Sequence, residues 1–498
     1  MKPNLRGNAA AAAGEQLVVG LTYFAFYGLL IRLAGAEQVG VVSLVMVLPS
    51  LVSMTSTGFA SALSHFLPVF EGQRDRIATI ACVETTLLCT ALLYCIALIV
   101  AFLPFQALIE AQVGPEQVSL VRAMMVPAVI QVFFLGVGAT SGLALTALHR
   151  SDLRLWSTVA GGLIALAVLG FGAPRFGVVA ALWGLAAQSA AIAVIGWLML
   201  ARILPGMPLL PRHIDRTMAG RLLSLGLNMQ AQSLLVSGVE PVTRLLLGQF
   251  GSLSAVAYFS LANRFVLQMR ALLYAAAQPV LPAFSHARAA GAGELAALYG
   301  RTEALMALAA VITFSAAAGA APFIGEVWIG EREPAFVAFT IILAAGWFTN
   351  SLTLTAYFNA YSLGKMSPSL VGHVVLFVLN AAAGAILGWF YGAIGVVGGM
   401  GLALLLSSVA LYAGNRVYTP LRSRELRLRR PVLVVSAGVV AATIAVSTYA
   451  WLHSTVPPLV GGVGAGFAWI AVMGPVLWFQ PVAKTAWSNL RSRTAEPL

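Results

Sequence analysis

Charge is what this chain has least of. Only 9% of its 498 residues are Asp, Glu, Lys or Arg, against about 25% in ordinary soluble domains. No polar stretch exceeds roughly 15 to 20 residues, which is too short for a separate folded catalytic or nucleotide-binding unit. Cysteine is nearly absent: Cys82, Cys89 and Cys95 share one hydrophobic segment. Their spacing suits no tetrahedral metal site, and a bridge within one helix would constrain nothing, so they read as packing residues. The six histidines (His65, His149, His213, His286, His373 and His453) are scattered among helix ends and loops. GxxxxGK[ST], HExxH and a GxSxG in a strand–turn–helix context are all missing. The chain is therefore not read as an enzyme, and no cofactor or metal is expected.

What the chain has is hydrophobicity: 60% apolar residues and a mean hydropathy of +0.90. Runs of about 20 apolar residues span the ~30 Å hydrocarbon core as helices. Fourteen such runs cover 12–33, 39–66, 77–103, 118–148, 155–173, 176–203, 222–250, 253–282, 298–324, 335–363, 369–391, 394–418, 431–453 and 456–479. The predicted fold is an all-α polytopic membrane protein. Lys2 and Arg6 resemble a signal-peptide start, but the apolar run behind them is too long for one and reads as an uncleaved first helix.

The few charges are ordered. Of 29 Lys and Arg residues, 22 fall in alternate connections, while the intervening ones hold Arg32, Arg175 and Arg332 only. This is the positive-inside pattern, and it places both termini in the cytoplasm, as an even number of spans requires. The formal net charge of +12 thus reflects topology and contact with anionic lipids rather than nucleic-acid binding. The basic run Arg422 to Arg430 reads as a lipid-facing linker.

An internal repeat runs through the first twelve spans. "QVGVVSLV" from Gln38 aligns with "AVAYFSLA" from Ala255 at an offset of 217; "LTALHRSD" from Leu145 and "FGVVAALWG" from Phe176 have counterparts at Ala360 and Tyr391, both at an offset of 215. Two six-helix halves of like orientation are predicted, residues 1–203 and 204–418. Residues 419–498 add the basic linker, a helix pair and a cytoplasmic tail. Parallel repeats of this kind are a transporter architecture.

Four arginines lie inside the apolar runs: Arg122, Arg244, Arg264 and Arg270. Intramembrane charge marks function by default, and guanidinium binds phosphate oxygens in pairs while keeping its charge. Arg264 and Arg270 are placed too deep to snorkel, forming with Arg244 a basic ladder on one hairpin. Arg122 and Arg244 are near enough to an interface to be ties or to snorkel. Glu240 is one helical turn from Arg244 and shares its face; Glu84 and Glu15 lie toward the cytoplasm, and a Glu84–Arg122 tie is a further possibility. The four arginines form the candidate cationic cavity for substrate. Glu240, Glu84 and Glu15 are candidate coupling groups or charge partners. Pro49, Pro127, Pro241 and Pro279 fall within spans, where they bend helices or shape packing.

The segments "LLSLGLNMQAQSLLVSGVEPVTRLLLGQFGSLSAVAYFSLANRFV", "IRLAGAEQVGVVSLVMVLPSL…GFASALSHFLP" and "VLPAFSHARAAGAGELAALYGR" resemble the bacterial polysaccharide (O-antigen type) flippases of the multidrug/oligosaccharidyl-lipid/polysaccharide exporter superfamily. The resemblance is diffuse and runs from about residue 10 to 480. It implies a bacterial inner-membrane flippase that carries an undecaprenyl-linked oligosaccharide to the periplasmic leaflet by alternating access. Its substrate would be a lipid-linked oligosaccharide, with other polysaccharide assembly proteins as partners and helices thirteen and fourteen as a groove for the lipid tail. The family often has an acidic residue where this chain has Thr243, so an ion-coupling role is not carried to that position. The lipid II flippase branch also has fourteen helices, but its arginine-rich first-helix pattern is missing here. The rivals are a cation-coupled multidrug exporter of the same superfamily, which needs an acidic cavity, and a polytopic polymerase or ligase, which needs a large periplasmic loop. The longest outer loop here is about fourteen residues. With no nucleotide-binding domain, transport would draw on an ion gradient or on that of the substrate.

Overall fold

A computed structural model describes residues 5–55, 57–277, 291–363, 367–418 and 431–481, with Val280, Ala283, Phe284, Ala287 and Arg288 between them. Pro279, His286 and the basic run Arg422 to Arg430 lie outside the described residues. The described residues are helical almost throughout and contain no strand. Sixteen helices are labelled: α1 Leu5–Val45, α2 Val47–Ser53, α3 Thr57–Gly72, α4 Arg76–Glu110, α5 Val118–Ala147, α6 Ser151–Phe176, α7 Val179–Ile203, α8 Arg216–Ser237, α9 Val239–Phe250, α10 Leu253–Ala277, α11 Ala292–Ile329, α12 Pro334–Ser351, α13 Leu354–Ser362, α14 Ser367–Tyr418, α15 Pro431–Leu452 and α16 Pro458–Trp478.

Ten helical stretches among the described residues are long and apolar enough to cross a bilayer, against the fourteen runs read from sequence. The difference has physical sources. α14 holds 52 residues, ~78 Å at 1.5 Å per residue, more than twice a hydrocarbon core. It turns back at Gly392 (φ 61°, ψ −142°). The two arms then pack antiparallel so closely that a Cβ on Gly399 would sit 2.6 Å from the Gly384 amide nitrogen. α1 likewise breaks at Gly35 (φ 77°, ψ 164°). The second predicted span is divided into α2 and α3, and the seventh into α8 and α9.

Two of these breaks have one cause. Proline has no N–H to give the carbonyl four residues back. Pro49 thereby deprives Val45, where α1 ends, and Pro241 deprives Ser237, where α8 ends. Pro127, by contrast, sits inside an unbroken α5. At the polar ends, Asp75 and Asp215 supply helix caps: Asp75 accepts from the Ala78 amide at 3.0 Å, and Asp215 from the Thr217 and Met218 amides at 2.8 and 3.0 Å.

The chain divides into two compact units, residues 1–257 and 258–498. In the first, α5 and α6 pack on α7, α1 packs on α6, and α8 packs on α3. One core there gathers Leu63, Leu67, Phe70, Val83, Trp197, Leu200 and Leu222 around Cys82. Cys82 is buried, Cys89 packs beside it and Cys95 is exposed, all three as free thiols. In the second unit α12 packs on α14 and α11, and the appended pair α15–α16 packs on α11. Hydrogen bonds fix that attachment: the Tyr449 hydroxyl donates to Glu326 at 2.8 Å and the Trp469 indole to Ser315 at 3.1 Å.

The sequence repeat has a conformational counterpart. Gly177, which turns α6 into α7, has φ 55° and ψ −143°, nearly the values at Gly392, its partner at the repeat offset. Both positions lie in the left-handed half of φ space, where a side chain is strained. Outward faces carry exposed Ile99, Leu103, Val432 and Val439, with Trp389, Trp451 and Trp478 near helix ends, as hydrocarbon and headgroup layers require. The protein is a multi-pass membrane protein.

Candidate functional site

The seven charged residues singled out by sequence fall into separate settings. In the first unit, Glu15 of α1 is buried and its carboxylate accepts from the Arg154 Nε at 2.9 Å and the Thr158 hydroxyl at 3.1 Å. Arg154 reaches on to the Thr146 hydroxyl at 3.1 Å, so one carboxylate ties α1 and α6 to the end of α5. Glu84 of α4, also buried, accepts the backbone N–H of Arg212 at 3.1 Å. Beside it the Asp215 amide donates to Thr85 at 3.1 Å. Glu84 therefore anchors the connection before α8, and the Glu84–Arg122 tie does not form. Arg122 is 63% exposed and grips Glu110 through Nε at 2.8 Å and Nη2 at 3.1 Å. Its bidentate pair closes the α4–α5 hairpin from outside.

Glu240 and Arg244 do pair, one turn apart on α9, immediately after the helix break. Arg244 is buried (4%), and its Nη1 also donates to the Ser43 carbonyl of α1 at 3.4 Å. Its Nε is buried with no partner among the described residues. The Ser43 bond holds α9 against α1, and the Glu240 pair lies within α9.

In the second unit the setting is different. Arg270 of α10 lies with its guanidinium carbon 4.4 Å from the ring centre of Trp347. One Nη2 hydrogen bond reaches the Asn350 side chain at 3.5 Å, the outer limit of such a bond. Nε is buried and unpartnered, and no carboxylate among the described residues pairs with this arginine. Tyr274, Tyr357 and His373 lie within electrostatic reach of it, and Tyr274 packs against Phe358 with ring centres 5.4 Å apart and planes tilted by 39°. An arginine held by an aromatic face and one amide, with donors to spare, has the chemistry to receive an anion. Its neighbour Asn350 ends α12 beside the break at Leu352 and Thr353. The chain there keeps right-handed helical dihedrals (Leu352 φ −62°, ψ −23°; Thr353 φ −87°, ψ −3°), so the break is a tightened turn.

Arg264 is half-buried and already engaged with a neighbouring group. Six residues on a helix of 3.6 per turn set it about 120° from Arg270, so the ladder along one face does not form. Sequence reasoning also missed the partners: Arg154, Glu110, and the Trp347–Asn350 pair at i, i+3. Asn350 gave one usable signal, an amide inside an otherwise apolar stretch. Arg288 is held the same way, by the Asn359 side chain at 3.0 Å and the Ser362 carbonyl at 3.1 Å.

Two cavities open in the second unit. One of about 360 Å³ is apolar, between α11, α12 and α15, with Phe314, Ile341, Phe348 and Val439 in its walls. Helix α15 lines it but α16 does not. The other, of about 760 Å³, includes Glu303, Tyr412 and Arg416.

Residues 6–288, more than half of the chain, match the polysaccharide biosynthesis protein family. The chain belongs to that family. Its fold is shared with solved membrane transporters at low identity. The lipid II flippase MurJ in an inward closed conformation superposes with a TM-score of 0.72 at 12% identity, over 93% of this chain and 97% of that one. An inward-facing multidrug resistance MATE family transporter of the MOP superfamily gives 0.68 at 14%, over 84% and 99%. The outward-facing MATE structure gives 0.53 at 16%, over 82% and 94%. Among curated proteins no sequence match was found.

Proposed function

We propose that this protein is a flippase that moves an undecaprenyl-linked oligosaccharide from the cytoplasmic to the periplasmic leaflet of the bacterial inner membrane, exposing one headgroup site to each side in turn. The observation that carries the reading is Arg270, a guanidinium on an aromatic face without a carboxylate partner among the described residues. The pyrophosphate that links sugar to polyprenol is the matching ligand, because its oxygens accept paired N–H donors. Arg264, on the same helix, is the second candidate contact. Arg244 and Arg122, committed to Glu240 and Glu110, are assigned positioning and closing roles. The family match to polysaccharide biosynthesis supports a glycan cargo. The apolar cavity beside α15 suits part of a polyprenyl chain. Fourteen crossings with cytoplasmic termini fit the loop charges.

The likeness to MATE transporters keeps one rival, a cation-coupled multidrug exporter. Such a cavity needs an uncommitted carboxylate. Here Glu15, Glu84 and Glu240 each already accept hydrogen bonds from Arg154, the Arg212 amide and Arg244, and Glu303, which lines the larger cavity, has Arg416 in the same lining to offset its charge. The deciding experiment complements a deletion strain. Arg270→Ala combined with Arg264→Ala should abolish surface polysaccharide while the protein remains in the membrane. Normal glycan in that strain rejects the site, and intact glycan with raised drug sensitivity in the deletion itself replaces the flippase with an exporter.

A further inference from the structure

The larger cavity of the second unit is not used by the reading above. Its walls come from the early turns of α11 (Gly300 to Ala307), the break between α12 and α13, the last turns of α14 and Pro431 at the start of α15. All of these lie toward the end of the unit where α14 finishes, the side that loop charge assigns to the cytoplasm. At about 760 Å³ it falls in the ~300–1,000 Å³ range of small-ligand sites. Two of its wall residues, Leu405 and Val409, are 41% and 58% exposed on an apolar helix face, so the cavity borders the lipid-facing surface.

The polar end has a specific charge pattern. Among the described residues, Arg416 and Glu303 are the charged groups of the lining, and they do not pair with each other. Tyr412 stands between them: its hydroxyl is 3.4 Å from a Glu303 oxygen, and Arg416 Nη2 is 3.4 Å from that hydroxyl. Both contacts are longer than the ~2.7–3.0 Å of well-formed bonds. The Arg416 guanidinium lies 4.9 Å over the Tyr412 ring, exposed at the cavity mouth, so most of its five donors remain available. Glu303 has a further partner besides Tyr412, and a carboxylate with two oxygens accepts several bonds at once, so an added donor can still be received.

We propose that this cavity binds an amine-headed glycerophospholipid of the surrounding leaflet, with its phosphate on Arg416, its ammonium on Glu303 and an acyl chain along Ala304, Ala307, Leu405 and Val409. One cation and one carboxylate separated by a hydroxyl complement a zwitterion. A purely anionic head satisfies Arg416 but leaves the Glu303 charge facing phosphate. Arg270, Trp347 and Asn350 are not among its lining residues, and the proposal does not depend on what the protein carries.

The test is native mass spectrometry of the purified full-length chain in detergent. It is titrated with phosphatidylethanolamine, with phosphatidylglycerol of the same acyl chains, and with chain-free glycerophosphoethanolamine. The wild type should retain the ethanolamine lipid about tenfold better than the glycerol lipid, the factor expected for one charge-assisted contact, and should not retain the chain-free head. Arg416→Gln should weaken ethanolamine-lipid binding about tenfold. Glu303→Gln should remove the preference between the lipids. Ala307→Phe, filling the apolar wall, should lower retention of both, with an unchanged unfolding temperature showing that the variants are folded. Equal retention of the two lipids by the wild type, a preference for the glycerol lipid, or wild-type retention by both polar variants would overturn the proposal. Retention of the chain-free head alone would reassign the site to a soluble phosphate.

Discussion

Replacing Arg270 with methionine should separate stability from transport. An arginine near the centre of a membrane helix costs about 2.5–3.5 kcal/mol relative to an apolar residue. Against this stands its contact with Trp347, 4.4 Å from guanidinium carbon to ring centre; a desolvated pair of this kind contributes about 2 kcal/mol. The Asn350 bond at 3.5 Å adds no more than ~0.5 kcal/mol at that length. These contributions roughly cancel, and the buried, unpartnered Nε then tips the balance against arginine by about 1–2 kcal/mol. Methionine has a similar reach, no donors to strand and favourable contact with an aromatic ring. Arg270→Met should therefore unfold about 1–2 kcal/mol less readily in detergent, measured by chemical unfolding, and should transport nothing. Arg270→Lys should keep partial transport, since the charge remains while paired donation is lost. A destabilisation of 2 kcal/mol or more by methionine would refute the reasoning, because Arg270 would then be holding the fold rather than waiting for an anion.

Other pairs should respond in the opposite sense. Arg154→Gln strands the Glu15 carboxylate, whose side chain is 8% exposed, and should destabilise by about 2–4 kcal/mol; adding Glu15→Gln should restore more than half of that in a double-mutant cycle. Arg122→Ala should leave the unfolding midpoint almost unchanged, because the Glu110 pair is on the surface, and surface glycan in a complemented strain should stay at wild-type levels. Gly399→Leu drives a side chain into the facing backbone of Gly384; membrane-inserted protein, measured by immunoblot, should fall sharply, while Gly398→Leu, with open space at that position, should insert normally.

Hydrophobic runs made the all-α membrane fold readable because bilayer crossing imposes them along the chain itself. At the repeat offset, Gly177 and Gly392 share one turn, set by a φ that disfavours side chains. The helix breaks were only half visible. Proline marks the ends of α1 and α8, but the break between α12 and α13 has no proline at its four-residue spacing. Pairing was mostly hidden. Glu240–Arg244 was legible because helix periodicity brings i and i+4 together. Glu15–Arg154 and Arg270–Trp347 depend on which helices pack side by side, which the sequence does not state locally. Depth alone treated Arg264 and Arg270 as equals, and packing distinguishes them.

The central claim is that Arg270 receives the pyrophosphate of a lipid-linked glycan, and the most direct measurement is transfer in proteoliposomes. A fluorescent undecaprenyl-pyrophosphate oligosaccharide is placed in one leaflet, and its arrival in the other is read by accessibility to an added lectin. The wild-type protein should move it, Arg270→Ala should not, and free inorganic pyrophosphate should inhibit the wild type. Transfer by Arg270→Ala at the wild-type rate would contradict the claim.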